Sequence, residues 1–183
     1  MNLHNLPIRK FTALCLFGAM TIATTLSFAK MPPAGQMPVI KTQTLNEHEI
    51  TLPQDLPGEK TLVLIAFDRE QQKNVNTWIT GMKLGDNPFP WVETPVIEPR
   101  DSLSRGFIDA SMRMGIRDVA AREKTITLYT DRMAFLKAMG LQSSVETIYV
   151  AVVNRAGHVL ASADGDYSKE KEAVLVKALM QQP

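Results

Sequence analysis

From residue 39 onward the apolar positions of this chain switch between a spacing of two and a spacing near 3.6, and each switch marks an element. Val39 to Leu45 and Glu49 to Leu52 alternate as the arms of a short hairpin, and Pro53 to Gly58 interrupts them. The run from Thr61 to Phe67 is apolar without a break, the pattern of a central strand buried on both faces. Asp68 follows, a residue that caps helices. Between Arg69 and Lys83, residues Val75, Trp78, Ile79 and Met82 fall on one helical face. Asn87 to Pro90 breaks the chain again. Trp91 to Ile97 predicts a strand, which Pro95 assigns to an edge or a bulge. Asp101 to Gly115 predicts a helix whose Leu103, Phe107, Ala110 and Met114 share one face.

The remainder reads in the same way. Thr125 to Tyr129 is a strand. Asp131 to Met139 is a short helix with Met133, Phe135, Leu136 and Met139 as its apolar positions and Gly140 as its C-cap. Thr147 to Val153, a turn over Asn154 to Gly157, and His158 to Ser162 form a closing hairpin. Lys169 to Met180 predicts a terminal helix with Val174, Leu175, Ala178 and Leu179 inward. The order is hairpin, strand, helix, strand, helix, strand, helix, strand, strand, helix. Parallel units come first and an antiparallel hairpin closes them, which predicts a mixed α/β sandwich.

The first 38 residues follow none of these periods. Arg9 and Lys10 precede an uncharged stretch from Phe11 to Ala29 that ends in Ser27-Phe28-Ala29. A basic start, an apolar middle and small residues before the cut describe a secretory signal peptide, residues 1–29, with cleavage after Ala29. Retained instead, the stretch would be a membrane anchor. Residues 30–38 are rich in Pro and Met and read as a linker or extended arm, which leaves 39–183 as the folded domain.

Composition matters once that leader is set aside. The 183 residues carry 20 Lys+Arg against 19 Asp+Glu, 45% hydrophobic residues and one cysteine. Such a balance excludes collagenous, coiled-coil and disordered chains, and it argues against nucleic acid as a partner. Removal of the leader takes away Arg9 and Lys10 but no acid, so 18 basic residues face 19 acidic ones. It also takes away Cys15, the sole cysteine. The exported chain would therefore have no thiol for catalysis or disulfide exchange.

A strand–helix–strand half followed by a strand, a hairpin and a helix resembles the thioredoxin-like fold superfamily, a three-layer sandwich with a mixed central sheet. The likeness is carried by Thr61 to Phe67 with its helix, and by Thr147 to Ala161, which is similar to the last hairpin of thioredoxin-like and peroxiredoxin-like proteins. It covers Val39 to Met180. The resemblance implies Cys-x-x-Cys just after the first central strand and a cis-proline just before the third. Here those places read Asp68 to Lys73, and Val145-Glu146 ahead of Thr147. Both parts of the redox site are missing, so the chain resembles a cysteine-less branch and redox chemistry is not carried over. A strand ending in Phe67 with a polar helix bearing Trp78 is similar to ATP-synthase assembly factors, which implies an assembly or chaperone role. Gly106 to Arg117 followed by Thr125 to Asp131 is similar to exported bacterial proteins of no assigned function.

Two clusters are candidate binding residues. Asp68, Arg69 and Glu70, with Gln71 and Gln72 in the same loop, follow the buried strand, where ligands of α/β sheets gather. The same residues also suit a capped, solvated helix start. Arg100, Asp101, Arg105, Asp109, Arg113 and Arg117 form a second group, with Arg105, Asp109 and Arg113 four apart on one face. Such a row pairs internally as an ion-pair ladder, or it grips an anion with Arg113 and Arg117. His48 and His158 are far apart in sequence, Met112 and Met114 point to different sides of a helix, and Asp164 and Asp166 lack the calcium-loop spacing. No metal site, cofactor or catalytic residue is expected. The sequence thus predicts an exported, non-redox module that binds a protein or peptide partner. The alternatives are a small-anion carrier or enzyme built on the arginine helix, and a membrane-anchored scaffold if the leader is retained.

Overall fold

A computed structural model describes residues 35–181; the expected signal segment and residues 30–34 of the expected arm lie outside the described residues. The strands are β1 (Ile40–Gln43), β2 (Glu49–Leu52), β3 (Lys60–Ala66), β4 (Trp91–Ile97), β5 (Leu128–Tyr129), β6 (Tyr149–Asn154) and β7 (Val159–Asp164). The helices are α1 (Gln72–Gly81), α2 (Ser102–Gly115), α3 (Val119–Lys124), α4 (Arg132–Ala138) and α5 (Lys169–Met180), and a 3₁₀ turn over Arg69–Gln71 leads into α1. Five strands form one sheet in the order β5-β4-β3-β6-β7, and β1 and β2 pair as a separate antiparallel hairpin. β3, β4 and β5 run parallel, while β6 and β7 are antiparallel to their neighbours. The expected mixed sandwich is present.

β3 shows why the apolar run had to be central. Leu62 and Leu64 face one side, with Val75 and Trp78 of α1 and Leu175 and Ala178 of α5. Val63, Ile65 and Phe67 face the other, with Leu52, Leu56, and Phe135, Leu136 and Met139 on and beside α4. Each fully buried aliphatic side chain contributes about 1.5–3 kcal/mol, so the strand can occupy only the middle layer. Asp101, Asp118, Asp131 and Ser168 cap α2, α3, α4 and α5 through backbone N–H groups.

Several expectations are corrected. β4 is not an edge strand, and its register with β3 runs unbroken through Ala66 opposite Pro95. Glu93 and Ile97 turn their carbonyls to the β5 side, where Ile126 and Thr130 donate to them. Pro95, of the same parity, turns its hydrogen-free nitrogen to that side too, where β5 is only two residues long. Residues 35–38 are docked rather than a free linker. Met37 is buried in the core, its N–H donates to Gly157 O (2.8 Å), and Gln36 N–H donates to Ala138 O (2.7 Å). A Cβ on Gly35 would stand 1.7 Å from Met139 O, so only glycine fits that approach. On α5, Val174 is exposed and Val176 takes its place beside Leu175 and Ala178.

α2 departs from the rule that a helix turns its apolar face inward. Leu103, Phe107 and Met114 are 85%, 76% and 76% exposed, and the buried residue of the helix is Asp109. Its polar face is turned inward because sequence-distant groups meet it. Tyr129 Oη–H donates to Asp109 Oδ1 (2.8 Å), Arg113 pairs with Glu47 (2.7 Å), and Arg105 lies over the Tyr129 ring (5.0 Å). Among the described residues no helix is long and apolar enough to cross a membrane.

Candidate functional site

Because β3 and β4 are parallel, their C-terminal ends open at the same end of the sheet. At that end Asp68 Oδ1 accepts from Glu70 N–H (2.8 Å), which starts the 3₁₀ turn and brings Gln71 beneath it. Gln71 is buried. Its Oε1 accepts from Phe67 N–H (2.8 Å) and its Nε2 donates to Val145 O (2.7 Å). One amide therefore ties the end of β3 to the loop ahead of β6. These are the two places where a redox member of the fold carries its cysteines and its proline.

Beside this clasp lies a cavity of about 850 Å³, within the range of ligand sites. Ala66 and Phe67 of the β3 end, Ile79 of α1, Trp91, Glu93 and Pro95 to Ile97 of β4, and Phe107, Ile108, Met112 and Ile116 of α2 and its end line it. Arg69, Asp68 and Arg132 stand in the same lining. Glu93 lies in the wall and is only 9% exposed. Burial pushes its carboxyl above the usual carboxylate range, and the Gln72 side-chain amide draws it part of the way back. None of the described cations neutralises it. Arg132 Nε donates to Val96 O (3.1 Å) and faces Glu98 (3.9 Å), and the Lys124 ammonium stands over the Trp91 ring (4.6 Å).

The two predicted clusters do not come together. Asp68 and Arg69 reach this cavity, and Glu70 is exposed at the helix start. Arg105 and Asp109 line a second cavity of about 730 Å³ between α2 and the β1–β2 hairpin. Asp109 is already satisfied there by Tyr129, whose hydroxyl is pushed up by burial and by that carboxylate. Arg105, Asp109 and Arg113 form no ladder among themselves: Arg105 Nε donates to Arg100 O (2.8 Å), and Arg113 reaches Glu47. Arg100 and Arg117 lie outside the helix, which ends at Gly115. His48 Nδ1 bonds Glu123 (2.9 Å), and His158 pairs across the chain with Gln36, so the two histidines do not meet. Lys171 Nζ donates to the carbonyls of Asp164 (2.6 Å) and Asp166 (3.0 Å) in the turn before α5. Phe67 and Trp78 are core residues, stacked edge-on against Tyr149 and Tyr167.

Glu93 escaped the reading of the sequence, whereas Gln71 belongs to the candidate loop after the buried strand. The signal for Glu93 was an acid, the one charged residue, within a largely apolar strand. The clasping role of Gln71 had no signal of its own, because one glutamine of two in a polar helix start looks like the other.

No protein-family model matches the sequence, and none of the curated proteins matches it. Solved structures do. A candidate electron transfer protein from Aquifex aeolicus VF5 superposes with a TM-score of 0.56 at 14% identity, over 80% of this chain and 95% of that one. BsSco, a member of the Sco family of cytochrome c oxidase assembly proteins, gives 0.52 at 13% identity, over 81% and 94%. An uncharacterized conserved protein from Geobacillus kaustophilus gives 0.51 at 12% identity, over 84% and 88%. At such identities the likeness concerns architecture alone, and it agrees with the sheet order: the chain has the thioredoxin-like fold.

Proposed function

We propose that this protein is an exported, non-redox binding module that holds an apolar segment of a protein or peptide partner in the cavity between α1, β4 and α2. One observation carries the reading. An apolar cavity of about 850 Å³ opens at the strand ends, and α2 sets Phe107 on its margin with 76% of that side chain exposed. Exposed apolar surface contiguous with a concavity is the feature by which soluble proteins take up apolar partners. Residues Asp68 to Lys73 hold no cysteine, and Gln71 occupies the junction that redox chemistry would need. The leader supports export, and cleavage after Ala29 would leave a thiol-free chain. BsSco belongs to a family of assembly proteins, and an assembly role for the present chain is the same reading with the partner specified further. The anion-carrier alternative draws less support, since Arg105 and Arg113 already have partners within the chain.

The test is a titration of the full chain with apolar peptides, followed by the emission of Trp91 in the cavity wall. Saturable binding that Ile108→Asp with Met112→Asp abolishes is expected, with the melting of the double variant as a control for folding. Saturable binding that survives both substitutions in a folded variant would refute the proposal.

A further inference from the structure

We propose that Glu93 makes the cavity selective for a basic-apolar peptide segment, in which a lysine or arginine inserts among apolar neighbours and pairs with the buried carboxylate. The inference rests on the binding reading above and specifies its partner. The side chain of Glu93 stands on the same face of β4 as Trp91 and Pro95, opposite Leu64 of β3, in the wall of the cavity and only 9% exposed. Each charged group that faces the space is accounted for. Asp68 and Arg69 are exposed at the β3 end, Arg132 of α4 is held by Val96 O and Glu98, and Lys124 of α3 lies on the Trp91 ring. From α1 only the neutral amide of Gln72 approaches the carboxyl.

An acid kept at such a position serves the fold poorly. A valine or leucine would bury the same space without the cost of desolvating a carboxylate. A cation supplied from outside removes that cost by pairing with it. Lysine and arginine suit the geometry for a second reason. Their methylene stems lie against apolar walls while the charged head reaches on, and Ile108, Met112 and Ile116 provide such a wall. The flanking apolar residues of the segment then cover Phe107 and Leu103, which are otherwise exposed. Burial already raises the Glu93 carboxyl, so pairing pulls its proton off and the selectivity strengthens as pH rises.

The experiment uses the full chain and two blocked peptides, Ser-Leu-Phe-Lys-Leu-Leu-Ser and its twin with norleucine in place of lysine, titrated by fluorescence anisotropy. The wild-type chain is expected to prefer the lysine peptide by about tenfold or more. That preference should persist in high salt, shrink on acidification, and vanish in Glu93→Gln, which retains the shape and the amide contact. Because the two peptides are compared first on the unmodified chain, the test stands whether or not Glu93→Gln folds. Equal affinity for the two peptides overturns the role of Glu93 and leaves the cavity as a binding site. Binding of neither peptide overturns both this inference and the function on which it rests.

Discussion

Replacing Gln71 with alanine removes the amide that joins the β3 end to the loop before β6, and the cost can be worked from its two bonds. Phe67 N–H loses its acceptor at 2.8 Å, and Val145 O loses its donor at 2.7 Å. A net hydrogen bond is worth about 0.5–1.5 kcal/mol, and a buried donor left without a partner costs about 1–3 kcal/mol. Phe67 is buried, so its N–H cannot recover water, whereas the Val145 carbonyl lies on a half-buried residue and recovers some. The expected loss is about 2–3 kcal/mol, or on the order of 5–10 °C in Tm for a domain of this size. Urea unfolding read by the buried Trp78 and Trp91 measures it, with the slope m unchanged. Gln71→Glu separates the two bonds. Its carboxylate still accepts from Phe67 but presents an oxygen to Val145 O, so it is destabilised near neutral pH. A buried carboxyl of this kind has a raised folded pKa, and protonation at low pH restores the donor. The deficit of Gln71→Glu therefore shrinks as pH falls, and that of Gln71→Ala does not. An alanine variant within about 0.5 kcal/mol of the wild type would show that the clasp does not hold the two loops together.

The remaining expectations concern side chains that break a local rule. Thr94 is fully buried, and its hydroxyl has no partner among the described residues, so Thr94→Val should gain about 1 kcal/mol in urea unfolding; a loss would mean the hydroxyl is satisfied after all. Glu93 has a folded pKa above its unfolded value, so its ionisation destabilises the chain progressively as pH rises from the ordinary carboxylate range through the raised one. Melting curves across that range should show Glu93→Gln matching the wild type in acid and exceeding it at higher pH, and parallel curves would contradict the burial argument. Leu103→Ser on α2 should change stability by no more than about 0.5 kcal/mol, in contrast to about 2–5 kcal/mol for Leu64→Ala in β3. A cost of core size at Leu103 would show that this face is covered within the chain.

How far the pattern of the sequence reached depended on where each residue finds its partners. The unbroken run from Thr61 to Phe67 could only be a strand covered on both sides, and Val75, Trp78, Ile79 and Met82 could only be one face of a helix packed on it. Element ends were less well determined. The helix after Asp68 begins as a 3₁₀ turn because Gln71 reaches back to Phe67, and β5 is short because Thr125 and Ile126 make isolated bridges to Glu93 and Thr44 instead of extending it. Neither contact is visible in the spacing of apolar residues.

α2 is the instructive case, and it borders the proposed site. A period of 3.6 separates two faces of a helix without saying which one meets the protein. The rule that apolar surface is buried would turn the face of Leu103, Phe107, Ala110 and Met114 inward. Here Tyr129, Glu47 and Thr127, all distant in sequence, supply partners for Asp109, Arg113 and Met112, so the polar face can be turned in at little cost. The apolar residues are then left outward, beside the one strand position where an acid replaces an apolar side chain. Two departures from the rules meet at one cavity, each lowers the chain's own stability, and the proposed binding there would account for both. On the proposed reading, an apolar helix face and a carboxylate without a cationic partner suit one kind of ligand, apolar along its length and positive at one point.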